Sequence, residues 1–299
     1  MNKFNIIKEL GGQKKRKFSS VFLVSRNSDQ EKFVLKEVKK NENTTLQQEK
    51  IKQEAQFQGD ELFLQKTIDF WEDNQSIFLL KEYVVGEPLD SWWNNQNTPK
   101  LERLKFVLSG LSPIFNYLKT HKIAHNDIKP SNILVTTHRG TTKFVLIDFG
   151  LAFHYPTNHN SSILFALGFA APEVVLSKNN CVNHSSDLFS LGILILYLWK
   201  GKLPLSHPNP TVFTNLQITY PITDSGNIPT DVFRIISKMC QKHPFRLPPN
   251  QLPEKEVSNG LLEAQNLRYQ SINEIIDDLN KIKIKSWWNF LIKIFSKSN

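Results

Sequence analysis

The chain is poor in cysteine, with only Cys181 and Cys240 among 299 residues. Two thiols exclude a disulfide framework and a structural zinc site, and they point to a reducing compartment. Residues 1–10 alternate charged and apolar side chains and lack both the apolar core and the small-residue cleavage site of a secretory leader, so secretion by that route is not expected. Long hydrophobic runs are missing as well. The most apolar stretch, 187–199, is too short to span a bilayer and is expected to be a buried helix. No internal repeat is present.

What remains is the composition of a folded chain. Hydrophobic residues make up 40% and charged residues 22%, enough for a sizeable core and against wholesale disorder. The length suits one large domain or two lobes. A formal net charge of +9 suits anionic partners, namely nucleotides, phosphates, nucleic acid or an acidic membrane surface, without choosing among them.

Three β-rich runs, 4–10, 21–25 and 33–38, are separated by turn residues and predict an antiparallel meander. Residues 44–64 predict a helix with a thin apolar face made of Ile51, Ala55 and Leu62. A second strand pair, 66–71 and 76–83, turns at Glu72-Asp73-Asn74-Gln75 and leads to a linker at Val85-Gly86-Glu87-Pro88. Beyond it, Leu101, Leu104, Leu108, Leu111, Phe115 and Leu118 recur at helical spacing. Two short strands, 133–136 and 143–147, bracket a turn at His138-Arg139-Gly140. A long irregular stretch follows at 154–169, of a length that is usually functional or disordered. Residues 203–265 hold most of the prolines and read as loops around one helix at 232–240, before a last helix at 271–282.

The chemistry concentrates in His125-Asn126-Asp127-Ile128-Lys129-Pro130-Ser131-Asn132, followed one hairpin later by Ile147-Asp148-Phe149-Gly150. Two carboxylates and an asparagine on adjacent loops can converge as a magnesium-bound phosphate site requires, because hard cations take oxygen ligands. With these motifs in this order, the chain resembles the eukaryotic-like (Hanks-type) serine/threonine protein kinase family from about residue 4 to 279. A lone Asp-Phe-Gly is a weak signal, whereas all the pieces in order are a strong one.

The resemblance implies an α+β, two-lobed fold with a small β-rich N-lobe at 1–82, a hinge at 83–89, a larger α-helical C-lobe at 90–280 and a basic amphipathic tail at 281–299. It also implies ATP and Mg2+ as nucleotide and metal, and protein Ser/Thr hydroxyls as acceptors. Asp127 would orient the acceptor hydroxyl and take its proton, and Lys129 would neutralise the transferred phosphoryl group. Asn132 and Asp148 would hold magnesium. Phe33-Val34-Leu35-Lys36 places Lys36 where it reaches the α- and β-phosphates, with Glu54 as its helical partner. Glu49 competes for that place, but five residues correspond to about 140° around a helix, so both cannot face Lys36. Gly11 and Gly12 stand in the phosphate-covering loop, where Ser19 replaces the last glycine and Lys14-Lys15-Arg16-Lys17 lengthens the turn. That basic run is taken as a solvated hairpin tip, and no nucleic-acid partner is expected. Backbone groups of Glu82 and Val84 would bond the adenine edge, with Val21, Val34 and Leu134 sandwiching its faces.

Several positions depart from the family pattern. Lys81 falls at the gatekeeper position, where an apolar side chain is more usual; buried, it needs a carboxylate partner or a lowered pKa, and otherwise its ammonium points to solvent. Asn126 replaces the arginine that pairs with a phosphorylated activation loop, which implies activity independent of that phosphate. Ala166 replaces a threonine bridging the catalytic Asp and Lys. Thr157, Ser161 and Ser162 are candidate autophosphorylation sites. Glu173, in Ala171-Pro172-Glu173, expects an arginine partner, and Arg268 suits the role better than Arg246, implying an insertion at 245–267. The rival readings are a pseudokinase scaffold that binds nucleotide or partners without catalysis, and a small-molecule kinase. The tail carries Trp287, Phe290, Leu291, Ile294 and Phe295 on one helical face beside lysines, resembling an interfacial membrane helix. The expected location is cytoplasmic, with peripheral contact at the inner membrane surface.

Overall fold

The computed structural model describes residues 3–10, 19–57, 59, 61–156, 165–223, 226 and 228–282. Gly11, Gly12, the basic run Lys14-Lys15-Arg16-Lys17, the candidate phosphorylation sites Thr157, Ser161 and Ser162, and the tail from 283 lie outside the described residues.

The meander forms as its turn residues dictate: β1 (Phe4–Glu9), β2 (Ser19–Arg26) and β3 (Lys32–Lys39) pair antiparallel. Next come α1 (Thr45–Gln56) and the hairpin of β4 (Thr67–Glu72) and β5 (Ser76–Glu82). Asp73 turns that hairpin, its Oδ1 accepting from the Gln75 and Ser76 amides. The sheet order is β1-β2-β3-β5-β4, so β5 inserts beside β3. Alternation along the strands then divides the apolar residues between two faces. Val24, Phe33, Leu35, Phe78 and Leu80 pack together on one face, and Val38, Ile77 and Leu79 pack with Ile51 of α1 on the other.

The expected helix at 44–64 stops at Gln56, and Leu62 is exposed rather than part of its face. The cause is a competing set of bonds. Residues 63–65 pair with the far hairpin, where Gln65 N donates to Leu146 O at 3.0 Å and Leu146 N donates to Phe63 O at 2.9 Å, and Leu64 enters the main core.

Past the linker the chain is mostly helical. The pair β6 (Glu87–Pro88) and α2 (Leu89–Asn94) leads into α3 (Lys100–Thr120), whose apolar stripe is buried as its spacing predicts. Then follow β7 (Ile123–Ala124), β8 (Ile133–His138), β9 (Thr141–Leu146) and β10 (Phe153–His154). The β8–β9 hairpin pairs back onto β6, so the linker is itself tied to the helical part. At Gly110 α3 closes directly on β9, since a Cβ there would fall 2.2 Å from the Phe144 ring.

The remaining helices are α4 (Pro172–Val175), α5 (His184–Lys200), α6 (Pro210–Thr219), α7 (Thr230–Met239), α8 (Glu254–Leu267) and α9 (Ile272–Lys281). Asn183 caps α5 and Gly201 ends it with a positive φ, as its apolar run demands on both sides. Two helices, α6 and α8, occupy the region read as loops. Their prolines stand at helix starts rather than in turns: Pro210 is the first residue of α6, after the Asn209 cap, and Pro253 precedes α8. Helices α3, α5, α7 and α9 enclose one large core. The result is a two-lobed α+β fold, a β-rich lobe with one helix above a helical lobe.

Candidate active site

A cleft of about 380 Å³ opens where the sheet meets the helical lobe, and its lining includes Val21, Lys36, Glu54, Asp127, Lys129 and Asp148. Strand register brings the first of these together. Lys36 stands opposite Val21 on β2 and Leu79 on β5, so it projects from the sheet face that packs on α1. Glu54 lies one turn beyond Ile51 on that helix and is also buried. The Lys36 Nζ donates to both carboxylate oxygens of Glu54, at 2.8 and 2.6 Å, and to Asp148 Oδ1 at 3.1 Å. Burial works against the Lys36 charge, but Asp148 and Glu54 outweigh it and hold the ammonium above its ordinary range. Burial likewise opposes ionisation of Asp148, and Lys36 overrides it, keeping that carboxyl well below the usual range.

The loop after β7 supplies the other half. Asp187, at the start of α5, accepts from the His125 amide at 2.8 Å and the Asn126 amide at 2.9 Å, pinning the loop from beneath. Burial pushes Asp187 up to about 7 despite those two donors. Asn126 takes a left-handed φ of 60°, which asparagine tolerates, and its Nδ2 donates to the carbonyls of Ala124 and Leu151. Asp127 is thereby turned to the cleft, where Lys129 Nζ donates to its two oxygens at 2.8 and 2.6 Å. Burial raises the Asp127 pKa, with Lys129 opposing. Ala166 lines the same cleft but has no hydroxyl to join this pair.

Asn132 Nδ2 donates to Asp127 O at 2.9 Å and Asp127 Oδ2 at 2.7 Å, which leaves its Oδ1 for a cation. Among the described residues no cluster of three or more His, Cys, Asp or Glu could hold a metal by itself. One carboxylate and one amide oxygen nevertheless fit magnesium, which keeps few protein ligands and shares its shell with phosphates and water. Phe149 turns inward as Asp148 turns out, its ring 4.8 Å from that of His125 and 5.4 Å from that of Phe57.

Val34, Glu82, Val84 and Leu134 do not line this cavity. Val34 lies on the Lys36 side of β3, opposite Lys81, while Glu82 ends β5 and Leu134 pairs with Pro88 at the linker. Lys81 does not reach solvent. It is 0% exposed, and its Nζ donates to Glu54 Oε1 at 3.0 Å. Burial lowers its pKa and Glu54 opposes the fall. Sequence reasoning named the need for a partner but not the partner, although register alone puts Lys81 and Lys36 on one face.

Farther down, Glu173 meets Arg268 rather than Arg246. Arg246 instead pairs with Glu256 on the surface.

The sequence pattern of the family described as protein kinase domain matches residues 4–255. Among curated proteins, the chain is 28% identical over 238 residues to cGMP-dependent protein kinase, isozyme 2 forms cD5/T2, of Drosophila melanogaster, covering 76% of this chain and 24% of that protein. It is 31% identical over 150 residues to serine/threonine-protein kinase B of Synechocystis sp., covering 46% of this chain and 25% of that protein. It is 28% identical over 221 residues to serine/threonine-protein kinase PknA of Nostoc sp., covering 68% and 38%. The chain thus spans about a quarter of the length of the first two of these relatives. With a match over most of its length and the cleft assembled from the motif residues, this chain belongs to the protein kinase domain family.

Proposed function

We propose that the chain is a serine/threonine protein kinase that transfers the γ-phosphate of ATP to protein hydroxyls. The observation that carries this is the convergence of Lys36, Asp127, Lys129 and Asp148 on one cleft, with the cations and carboxylates already paired. In this reading the acceptor oxygen bonds to the γ-phosphorus, the bond to the β–γ bridging oxygen breaks, and the hydroxyl proton passes to Asp127. Burial, which raises the proton affinity of Asp127, favours that acceptance. Lys129 offsets charge on the transferred group, and Lys36, steadied by Glu54, binds the α- and β-phosphates. Asn132 and Asp148 are the residues that would hold magnesium, which when bound neutralises charge on the phosphates. Gly11, Gly12, Val21, Val34 and Leu134 would surround the nucleotide, and the backbone of Glu82 and Val84 would meet its base.

The lobes in this reading are 1–82 and 90–280, joined by a hinge at 83–89. Activity does not wait on an activation-loop phosphate, because Asn126 spends its side chain on the Ala124 and Leu151 carbonyls and carries no charge to receive one. Phosphatase-treated and untreated protein should therefore turn over equally. The segment 281–299 is proposed to meet an anionic membrane surface. Among the described residues no helix is long and apolar enough to cross a membrane. Removing 286–299 should abolish sedimentation with anionic liposomes and leave the core folded; equal sedimentation of the shortened chain would sink the anchor.

The deciding experiment supplies labelled ATP and magnesium with proteins, aminoglycosides and choline as acceptors. Label is expected on protein serine or threonine. Label on a small molecule, or on nothing, would overturn the proposal.

A further inference from the structure

Helix α1 has little to hold it by hydrophobic contact. Of its twelve residues only Ile51 and Glu54 are buried, so the apolar seat against the sheet is narrow. Ala55 adds a small, partly buried contact to that seat, and the other attachments are polar. Gln53 Nε2 donates to Ala152 O, just past Gly150, and Glu54 takes cations from two neighbouring strands. Lys36 on β3 grips both of its oxygens, and Lys81 on β5 donates to Oε1 from a position with no exposed side-chain surface. The four charges run in alternation, Lys81 to Glu54 to Lys36 to Asp148.

Lys36 and Lys81 are not equivalent in this chain. Lys36 has two carboxylates, Glu54 and Asp148, and part of its side chain reaches the cleft. Lys81 has Glu54 alone as a carboxylate partner among the described residues, with the Phe149 ring 6.0 Å away as its other soft contact. A dehydrated ammonium without its counter-ion is strongly disfavoured. Any displacement of α1 that carries Glu54 outward therefore leaves Lys36 tolerably paired but strands Lys81.

We propose that Lys81 is a positioning residue: it latches α1 through Glu54, so that Lys36 and Asp148 stand assembled without a charge supplied from outside the site. This rests on the kinase reading for its consequence in catalysis, but not for the latch itself. Lys81 does not touch the reacting atoms. It acts by making departure of Glu54 costly, and it offers a physical basis for a site that needs no activating phosphate.

The test uses the full chain without nucleotide. Hydrogen exchange of residues 45–56 is compared in the parent and in Lys81→Met, which keeps an unbranched side chain one atom shorter and removes its charge. The expected result is exchange about tenfold faster in α1, with α5 and α9 unchanged. A thermodynamic cycle adds Glu54→Gln and the double variant. Because Glu54→Gln weakens the partner of a buried cation, adding Lys81→Met to it should raise the melting temperature, whereas independent contacts would give additive losses. Should Lys81→Met alone fail to fold, the Glu54→Gln background still supplies this comparison. With labelled ATP, kcat should fall about tenfold in Lys81→Met while KM for the acceptor stays nearly constant. Unchanged α1 exchange, or additive melting shifts, overturns the latch. A parent that transfers no phosphate but shows both effects removes the kinase reading and leaves the latch standing.

Discussion

Glu173 on α4 and Arg268, 95 positions later in the chain, meet in a two-pronged contact of 2.6 and 3.1 Å with neither side chain exposed. Ser186 Oγ donates to the same carboxylate at 2.8 Å, and Arg268 Nε donates to Gln241 O at 3.0 Å. Burial opposes the charge on Glu173, and Arg268 overrides it to keep the carboxyl low. The pair joins α4 to the approach of α9, the last helix described.

Breaking that pair on one side strands the other charge. Glu173→Gln or Arg268→Met is expected to cost about 3–5 kcal/mol of stability by urea unfolding, with the double variant recovering part of it. Arg246→Ala removes an exposed, solvent-screened pair and should leave the unfolding midpoint nearly unchanged. Equal losses at Arg246 and Arg268 would mean that the wrong arginine has been assigned.

Asp127→Asn keeps the shape of the loop and removes the proposed proton acceptor. Phosphate transfer should fall by at least about a hundredfold with an unchanged melting temperature. Asp148→Asn leaves Lys36 paired with Glu54 but weakens the proposed magnesium ligand. Its loss of transfer should be accompanied by weaker magnesium-dependent nucleotide binding, measured by calorimetry.

His125 is fully buried, and its Nδ1 accepts from the Asp127 amide at 3.3 Å. Burial lowers its pKa from 6.5 to about 4. Between those values the unfolded chain binds a proton that the folded one does not, so stability rises with pH there and falls on acidification. Full protonation of the unfolded state costs on the order of 3 kcal/mol from this group. Denaturant unfolding at pH 7.5, 6 and 5 should show a shallower dependence in His125→Gln than in the parent.

Asn126→Ala loses two side-chain bonds and forces a Cβ-bearing residue without polar compensation into a left-handed φ of 60°. A loss of about 1–3 kcal/mol is expected, with Asn126→Gly less affected because glycine accepts that conformation. Thermal melts of the two variants decide it. A larger loss in the glycine variant would place the contribution in packing instead.

Local patterns were legible wherever the physics is local. Short β-rich runs bounded by turn residues foretold β2 and β3, and three- and four-residue spacing foretold α3, because those signals depend only on near neighbours. The motif around Asp127 and Asp148 was legible because its residue types are fixed by the oxygen and proton chemistry. The helix expected at 44–64 ended early because residues 63–65 bond to a hairpin some 80 positions away. Helices α6 and α8 were missed because a proline at a helix start and a proline in a loop look alike in composition.

The sequence by itself determined which residues are candidates for the chemistry, that only one of Glu49 and Glu54 could face Lys36, with the family interval favouring Glu54, and that Arg268 suited Glu173 better than Arg246. Only the tertiary structure decided where the charge on Lys81 goes. Strand order inserted β5 beside β3 and set α1 across both, so one carboxylate received two ammonium groups from strands far apart in the chain. Burial then fixed their energies, because the cost of a charge depends on how much water the surrounding fold excludes.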